Sequence, residues 1–195
     1  MRPPFVFGYG SLVNRATHNY AEAHPARILG WRRCWRHVAS RDVAFLTAFA
    51  DPECEIDGLI AAVPDADWPA LDLREKHYIR ARVLDVGHNL NETLDMQIYH
   101  APPELHEPAT VLHPVLLSYL DTVVQGFLRE HGEAGVRRFF NTTDGWDAPI
   151  SDDREAPVYL RHQRLNAAER ALVDEELRRV GATIRASQLI PTSGR

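Results

Sequence analysis

A chain of 195 residues, 45% hydrophobic and 25% charged, is long enough to bury a full core and has the composition of an ordinary soluble protein. Its net charge of −5 is spread without a basic stripe, which gives a nucleic-acid partner no electrostatic support. No apolar run approaches the roughly 20 residues of a membrane span, and the N-terminus lacks a signal-peptide apolar segment, so a cytoplasmic protein with no membrane partner is expected.

In chain order, Pro4 bounds an apolar run, Phe5-Val6-Phe7, that predicts a buried strand. Gly8-Tyr9-Gly10-Ser11 breaks it. Two glycines let the backbone turn sharply and expose N–H groups, giving either an ordinary Gly-rich turn or an anion cradle at the strand end. Val13 to His24 is polar and reads as a loop or short helical turn. Ala26 to Val38 is interrupted by Gly30, and its tryptophans favour a strand or a bent strand pair. Val43 to Phe49 and Ile56 to Val63 read as two strands, with Asp51-Pro52-Glu53 as the turn between them.

A short helix follows. Asp67 caps it, Pro69 falls where a missing N–H costs nothing, and it runs from Ala70 through Lys76. At 100° per residue, Trp68 and Leu71 define an apolar edge and Glu75 falls between them. A carboxylate there is anomalous, because burial and the negative end of the helix dipole both favour its protonated form. That environment suits a general base that later acts as an acid. Two plainer readings stand beside it. Arg74 or Arg80 neutralises Glu75, or the helix is rotated so that Leu73 points inward.

Ile79 to Val86 and Leu94 to Tyr99 read as strands, with Asn89 and Asn91 in the turn between them. The Pro-rich piece from Ala101-Pro102-Pro103 to Pro108 ends the β-rich half. Pro114 then starts a helix to about His131 with Leu116, Leu120, Val123, Val124 and Phe127 as its stripe, and a shorter helix, Glu133 to Phe140, follows. A polar loop continues through Arg154. Asn166 and Glu169 form a capping box for the last helix, which stops at Gly181. The expected fold class is α+β, a small mixed β-barrel of about six strands with an inserted helix carrying Glu75. Residues 101–195 are expected to be a helical extension packed on that 1–100 core, the whole forming a single domain.

Cys34 and Cys54 are too few for a disulfide framework and lack metal-site spacing, so two buried or inert thiols are expected. Of the ten histidines, His100, His106 and His113 lie in a loop and a helix start without liganding spacing, and no metal site is expected. Gly8-x-Gly10 does not extend to a dinucleotide fingerprint, since position 13 is Val, and no P-loop Lys follows.

Two stretches together carry a family resemblance. Phe7-Gly8-Tyr9-Gly10-Ser11-Leu12 is similar to the Tyr-Gly-Ser-Leu/Asn signature of the gamma-glutamylcyclotransferase superfamily (AIG2-like fold). Leu71-Asp72-Leu73-Arg74-Glu75-Lys76-His77-Tyr78-Ile79-Arg80 resembles its later helix, where a Glu precedes a Tyr and a strand. Leu29-Gly30-Trp31-Arg32-Arg33 resembles its Gly-aromatic-x-Arg strand, and Asp57-Gly58-Leu59-Ile60 the next one. The chain departs from the family at Lys76-His77, where members often carry Gly.

The resemblance implies a cofactor-independent enzyme of glutathione metabolism. It would release an amine from a gamma-glutamyl compound (glutathione, a gamma-glutamyl amino acid or amine) while the gamma-glutamyl group closes to 5-oxoproline. Glu75 would be the catalytic acid and base, and Tyr9, Gly10, Ser11 and Leu12 would hold the gamma-glutamyl group. Tyr159 is a further substrate-binding candidate, as a hydroxyl donor closing over the pocket. Its alternative role is to anchor its loop to the barrel. The competing functional reading is a non-catalytic module that binds a small anionic metabolite through the Tyr9–Leu12 loop.

Overall fold

The computed structural model describes residues 3–38, 41–75, 78–83, 86–90, 93–102, 104, 106–110 and 112–187. Lys76, His77, Leu84, Asp85, Asn91, Pro103 and the side chain of Arg74, all invoked above, lie outside the described residues. The elements in order are β1 (Phe5–Gly8), β2 (Ala23–His37), β3 (Phe45–Ala62), α1 (Trp68–Arg74), β4 (Ile79–Arg82), β5 (Val86–His88) and β6 (Met96–His100). They continue with β7 (Glu107–Pro108), β8 (Val115–Leu116), α2 (Leu117–Asn141), β9 (Thr143–Asp144), β10 (Ile150–Asp152), α3 (Ala167–Arg179) and β11 (Ile184–Ala186).

The chain is α+β, as expected. The main sheet runs β4-β6-β1-β3-β2-β5, with β7 and β9 also paired to β2. β1 is flanked by β3 (antiparallel) and β6 (parallel) and is buried throughout, which is why it reads as an unbroken apolar run and not an alternating one. The expected small barrel is not seen to close among the described residues. The ladder is an open path whose two ends, β4 and β5, do not pair with each other. A second, three-stranded parallel sheet, β11-β10-β8, was not anticipated. Its strands are only two or three residues long, too short to stand out from the surrounding loops.

The predicted turn at Asp51-Pro52-Glu53 is instead part of one long strand. β3 pairs with β2 from Ala23↔Ala61 to Arg36↔Phe45, and the register jumps where Leu29↔Glu55 gives way to Trp31↔Ala50. Gly30, at φ 89°, sits at that jump opposite residues 51–54. Pro52 cannot donate to the ladder and is placed where the ladder is interrupted. The Asp51 side chain accepts the Glu53 N–H at 3.1 Å, a local turn inside the strand.

The two predicted helices of the second half are the arms of α2, broken at Gly132, which adopts φ 65°. Every residue of the predicted stripe from Leu116 to Phe127 is buried. No helix-capping side chain comes from α2's own N-terminus. Asp153 fills that role from a distant loop, accepting the Ser118 N–H at 2.8 Å and the Ser118 hydroxyl at 2.5 Å. Asp153 also accepts the Val158 N–H at 2.9 Å, so the loop leading to Tyr159 is tied to the start of α2. α3 has the expected capping box between Asn166 and Glu169. One apolar cluster joins both halves of the chain, from Phe5 and Ile60 to Phe127, Phe139 and Leu177. Cys34 and Cys54 are buried, free thiols, and burial pushes both upward in pKa.

Candidate active site

β1 ends in a 3₁₀ turn, Ser11–Val13, followed by a second over Arg15–Thr17. Gly8 and Gly10 are required here for close packing and not for a left-handed turn, since neither has positive φ. A Cβ on Gly8 would lie 2.4 Å from Leu12 Cδ2, and one on Gly10 would lie 2.6 Å from the Tyr119 hydroxyl oxygen. α2 fixes the turn from outside. Asn14 donates to the Thr122 carbonyl at 2.9 Å and to Gln125 at 3.0 Å, and Gly126 leaves no room for a Cβ against the Asn14 backbone.

Arg33 fixes the turn from below. This guanidinium is fully buried, donates from Nε to the Tyr9 carbonyl at 3.0 Å and from Nη1 to Thr142 Oγ1 at 2.8 Å, and bonds the Asp57 carbonyl through Nη2. The rings of Phe127 and Phe139 lie 5.0 and 5.1 Å from it. Desolvation pulls its pKa down to about 9 against the opposing pull of Asp57.

Glu75, predicted to lie inside a helix running to Lys76, is instead the C-terminal cap of α1, which ends at Arg74. Its N–H reaches the Leu71 carbonyl at 2.9 Å and its carbonyl accepts the Tyr78 N–H at 2.8 Å, so the backbone is held on both sides. Leu71 is 7% exposed and Leu73 75%, which excludes the rotated helix. Arg80 pairs with Asp72 and lies 4.4 Å over the Trp68 ring. Tyr99 donates to Asp72 at 2.5 Å, tying α1 to β6.

These placements bring the two predicted halves of the site together. Tyr9, Gly10, Ser11, Leu12 and Glu75 line one cavity of about 100 Å³, with Leu46, Leu71, Tyr78, Tyr99 and Tyr119. A second cavity, of about 300 Å³, shares Ser11, Leu46, Glu75, Tyr78 and Tyr119 with the first and adds Arg41, Phe45, Tyr159 and Arg161. Tyr159 lines the outer space, together with Ser11 of the Tyr9–Leu12 loop. Its ring meets that of Tyr119 edge-on at 5.0 Å. Trp146 and Arg154, in the loop that leads to Tyr159, are structural. Trp146 stacks on Phe140 at 4.7 Å, and Arg154 pairs with Asp121 and Asp174.

Four tyrosines surround the carboxylate. Tyr9, Tyr78, Tyr99 and Tyr119 are all pushed upward in pKa, chiefly by burial, with the Glu75 charge adding to the shift in each case. They are neutral donors near pH 7. Tyr9 donates to the Tyr99 carbonyl at 2.7 Å and Tyr78 to the Leu46 carbonyl at 3.0 Å. Tyr119 was missed in the sequence, although a hydroxyl three residues after Leu116 and four before Val123 marks the helix stripe as Glu75 marks α1. Nothing local signals Arg41 or Arg161.

The model of the family described as gamma-glutamyl cyclotransferase, AIG2-like, matches residues 6–116, more than half of the chain. No curated protein matches the sequence. Among solved structures, the fold is similar to one titled gamma-glutamyl cyclotransferase, with a TM-score of 0.54 and 14% identity over 88% of this chain and 98% of that one. An uncharacterized protein from Homo sapiens aligns with a TM-score of 0.56 and 14% identity, over 89% of this chain and 99% of the other. YkqA from Bacillus subtilis aligns with a TM-score of 0.55 and 18% identity, over 74% of this chain and 57% of that one. At these identities the likeness is one of fold. With the family match spanning β1 to the start of α2, the chain belongs to the gamma-glutamyl cyclotransferase, AIG2-like family.

Proposed function

We propose that the chain converts a gamma-glutamyl compound into 5-oxoproline and a free amine, with Glu75 as the proton carrier. One observation carries this reading. A half-buried carboxylate and the strand-end loop Tyr9–Leu12, distant in sequence, line the same small cavity. Family membership supports the reaction class.

The chemistry needs one group that takes a proton and then gives it back. Glu75 accepts a proton from the substrate α-ammonium, and the freed nitrogen attacks the γ-carbonyl carbon. As the new C–N bond closes the ring, the amide C–N bond breaks, Glu75 returns the proton to the departing nitrogen, and the second proton shed by the ring nitrogen ends on the released amine as its ammonium. The attack is intramolecular, so a cavity that holds the glutamyl chain folded supplies much of the rate. Backbone N–H groups of the Gly10–Leu12 turn stabilise the substrate carboxylate or the oxyanion that develops at the γ-carbonyl. The neutral phenols of Tyr78 and Tyr119 border the same space without competing for the proton.

Incubation of the purified protein with gamma-glutamyl amino acids, gamma-glutamyl amines and glutathione, read by mass spectrometry, is expected to yield 5-oxoproline from at least one of them. Thermal stabilisation by these compounds with no release from any would instead make the chain a binding module for small anions.

A further inference from the structure

The outer cavity is the feature that the proton-transfer account leaves unused. It begins where the inner one ends, at Glu75, Ser11 and Tyr119, and is about 300 Å³ in volume. Among the described residues its wall carries two guanidinium groups, Arg41 and Arg161, and no carboxylate other than Glu75. The whole chain is acidic, with a net charge of −5, so a pair of cations at one mouth is a local departure.

Arg41 is held within the cavity wall, by Phe45 and by a hydrogen bond with the Tyr78 side chain, and Arg161 is carried by a loop anchored outside it. Arg41 lies 5.2 Å over the Phe45 ring, and its N–H is bonded to the Val38 carbonyl at 3.0 Å. Arg161 follows Tyr159 on the loop that Asp153 ties to the start of α2. Among the described residues neither arginine forms an ion pair with a carboxylate, whereas Arg80 and Arg154, nearby in the fold, are both paired. Two unpaired guanidiniums facing a cavity are suited to a carboxylate, which each can bind through more than one N–H.

We propose that Arg41 and Arg161 receive a carboxylate carried by the leaving amine, so that this enzyme favours gamma-glutamyl amino acids or peptides over gamma-glutamyl amines. The inference rests on the cyclotransferase reading, in which the glutamyl group fills the inner cavity and the scissile amide lies at Glu75. The leaving group then extends into the outer cavity, where its own α-carboxylate meets the two arginines. Tyr159, whose ring meets that of Tyr119, lines the same cavity.

The test uses a minimal pair of substrates, gamma-glutamyl-alanine and gamma-glutamyl-ethylamine, which differ only by the leaving-group carboxylate. For the unsubstituted chain kcat/KM is expected to favour the acid by roughly tenfold to a hundredfold, the range of a lost charge-assisted hydrogen bond. In Arg41→Gln and Arg161→Gln that ratio is expected to shrink about tenfold, mostly through KM of the acid, with partial rescue by Arg161→Lys. Turnover of both substrates at equal kcat/KM, or a ratio unmoved by either substitution, overturns this inference alone. Release of 5-oxoproline from neither substrate, nor from glutathione, overturns the cyclotransferase reading and the inference with it.

Discussion

The Arg33 guanidinium donates to the Tyr9 carbonyl at 3.0 Å, which places a fully buried cation directly beneath the loop that borders the cavity. Its hydrogen-bond and ring partners among the described residues are neutral: two backbone carbonyls, a threonine hydroxyl and two phenylalanine rings. Arg33 is thus a brace that joins β1, β3 and the end of α2. Its substitution by Met leaves two buried carbonyls without their donor, and the expected loss is about 3 kcal/mol of stability. Urea unfolding checks this, and an unchanged midpoint contradicts it.

Gly10 and Tyr119 are expected to be coupled. An alanine at position 10 collides with the Tyr119 hydroxyl at 2.6 Å, so Gly10→Ala should cost about 1–3 kcal/mol and raise KM by displacing the turn. Removing that oxygen with Tyr119→Phe should relieve part of the penalty. A double-mutant cycle on thermal stability and KM measures the coupling, and strictly additive effects contradict the packing described.

Stability should fall in mild acid. Burial pushes the pKa of His131 below its ordinary value, and its Nε2 lies 2.8 Å from the Gly58 carbonyl oxygen; His100 and His106 are also pushed down, chiefly by burial. With folded values below the unfolded value of about 6.5, the unfolded chain binds more protons in the interval between them. The histidine contribution is therefore complete above about pH 6.5 and is lost as pH falls through the folded values. The unfolding midpoint is expected to drop between pH 7.5 and pH 5, less steeply in His131→Gln. A flat profile, or the same slope in that variant, contradicts the assignment.

Much of the fold was legible because single residues carry clear physical signals. Asn166 with Glu169 marked the start of α3, and the β1 run read as a buried strand. The break of α2 at Gly132 also fell where the sequence placed it. Asp51-Pro52-Glu53 misled, because a bulge opposite Gly30 needs the same residues as a tight turn, and only the partner strand distinguishes them. Closure of the sheet was not legible either, since strand count does not determine whether the two edge strands meet. At the site, Glu75 stood out as a carboxylate on an apolar stripe. The loop glycines were found for a different reason than the one that holds, as close contacts with Leu12 and Tyr119 are tertiary facts. Arg41, Tyr119 and Arg161 reach the cavities from a strand connection, a helix and a late loop, and only the folded chain brings them to Glu75.

The most direct test of the central claim is the release of 5-oxoproline from gamma-glutamyl compounds by the protein and by its Glu75→Gln variant. The substitution keeps the shape of the side chain and removes its capacity to carry a proton. The account predicts release by the parent chain and a loss of roughly 10²–10⁴-fold in the variant, with its circular dichroism unchanged. A folded Glu75→Gln protein that releases 5-oxoproline at the parent rate would contradict it.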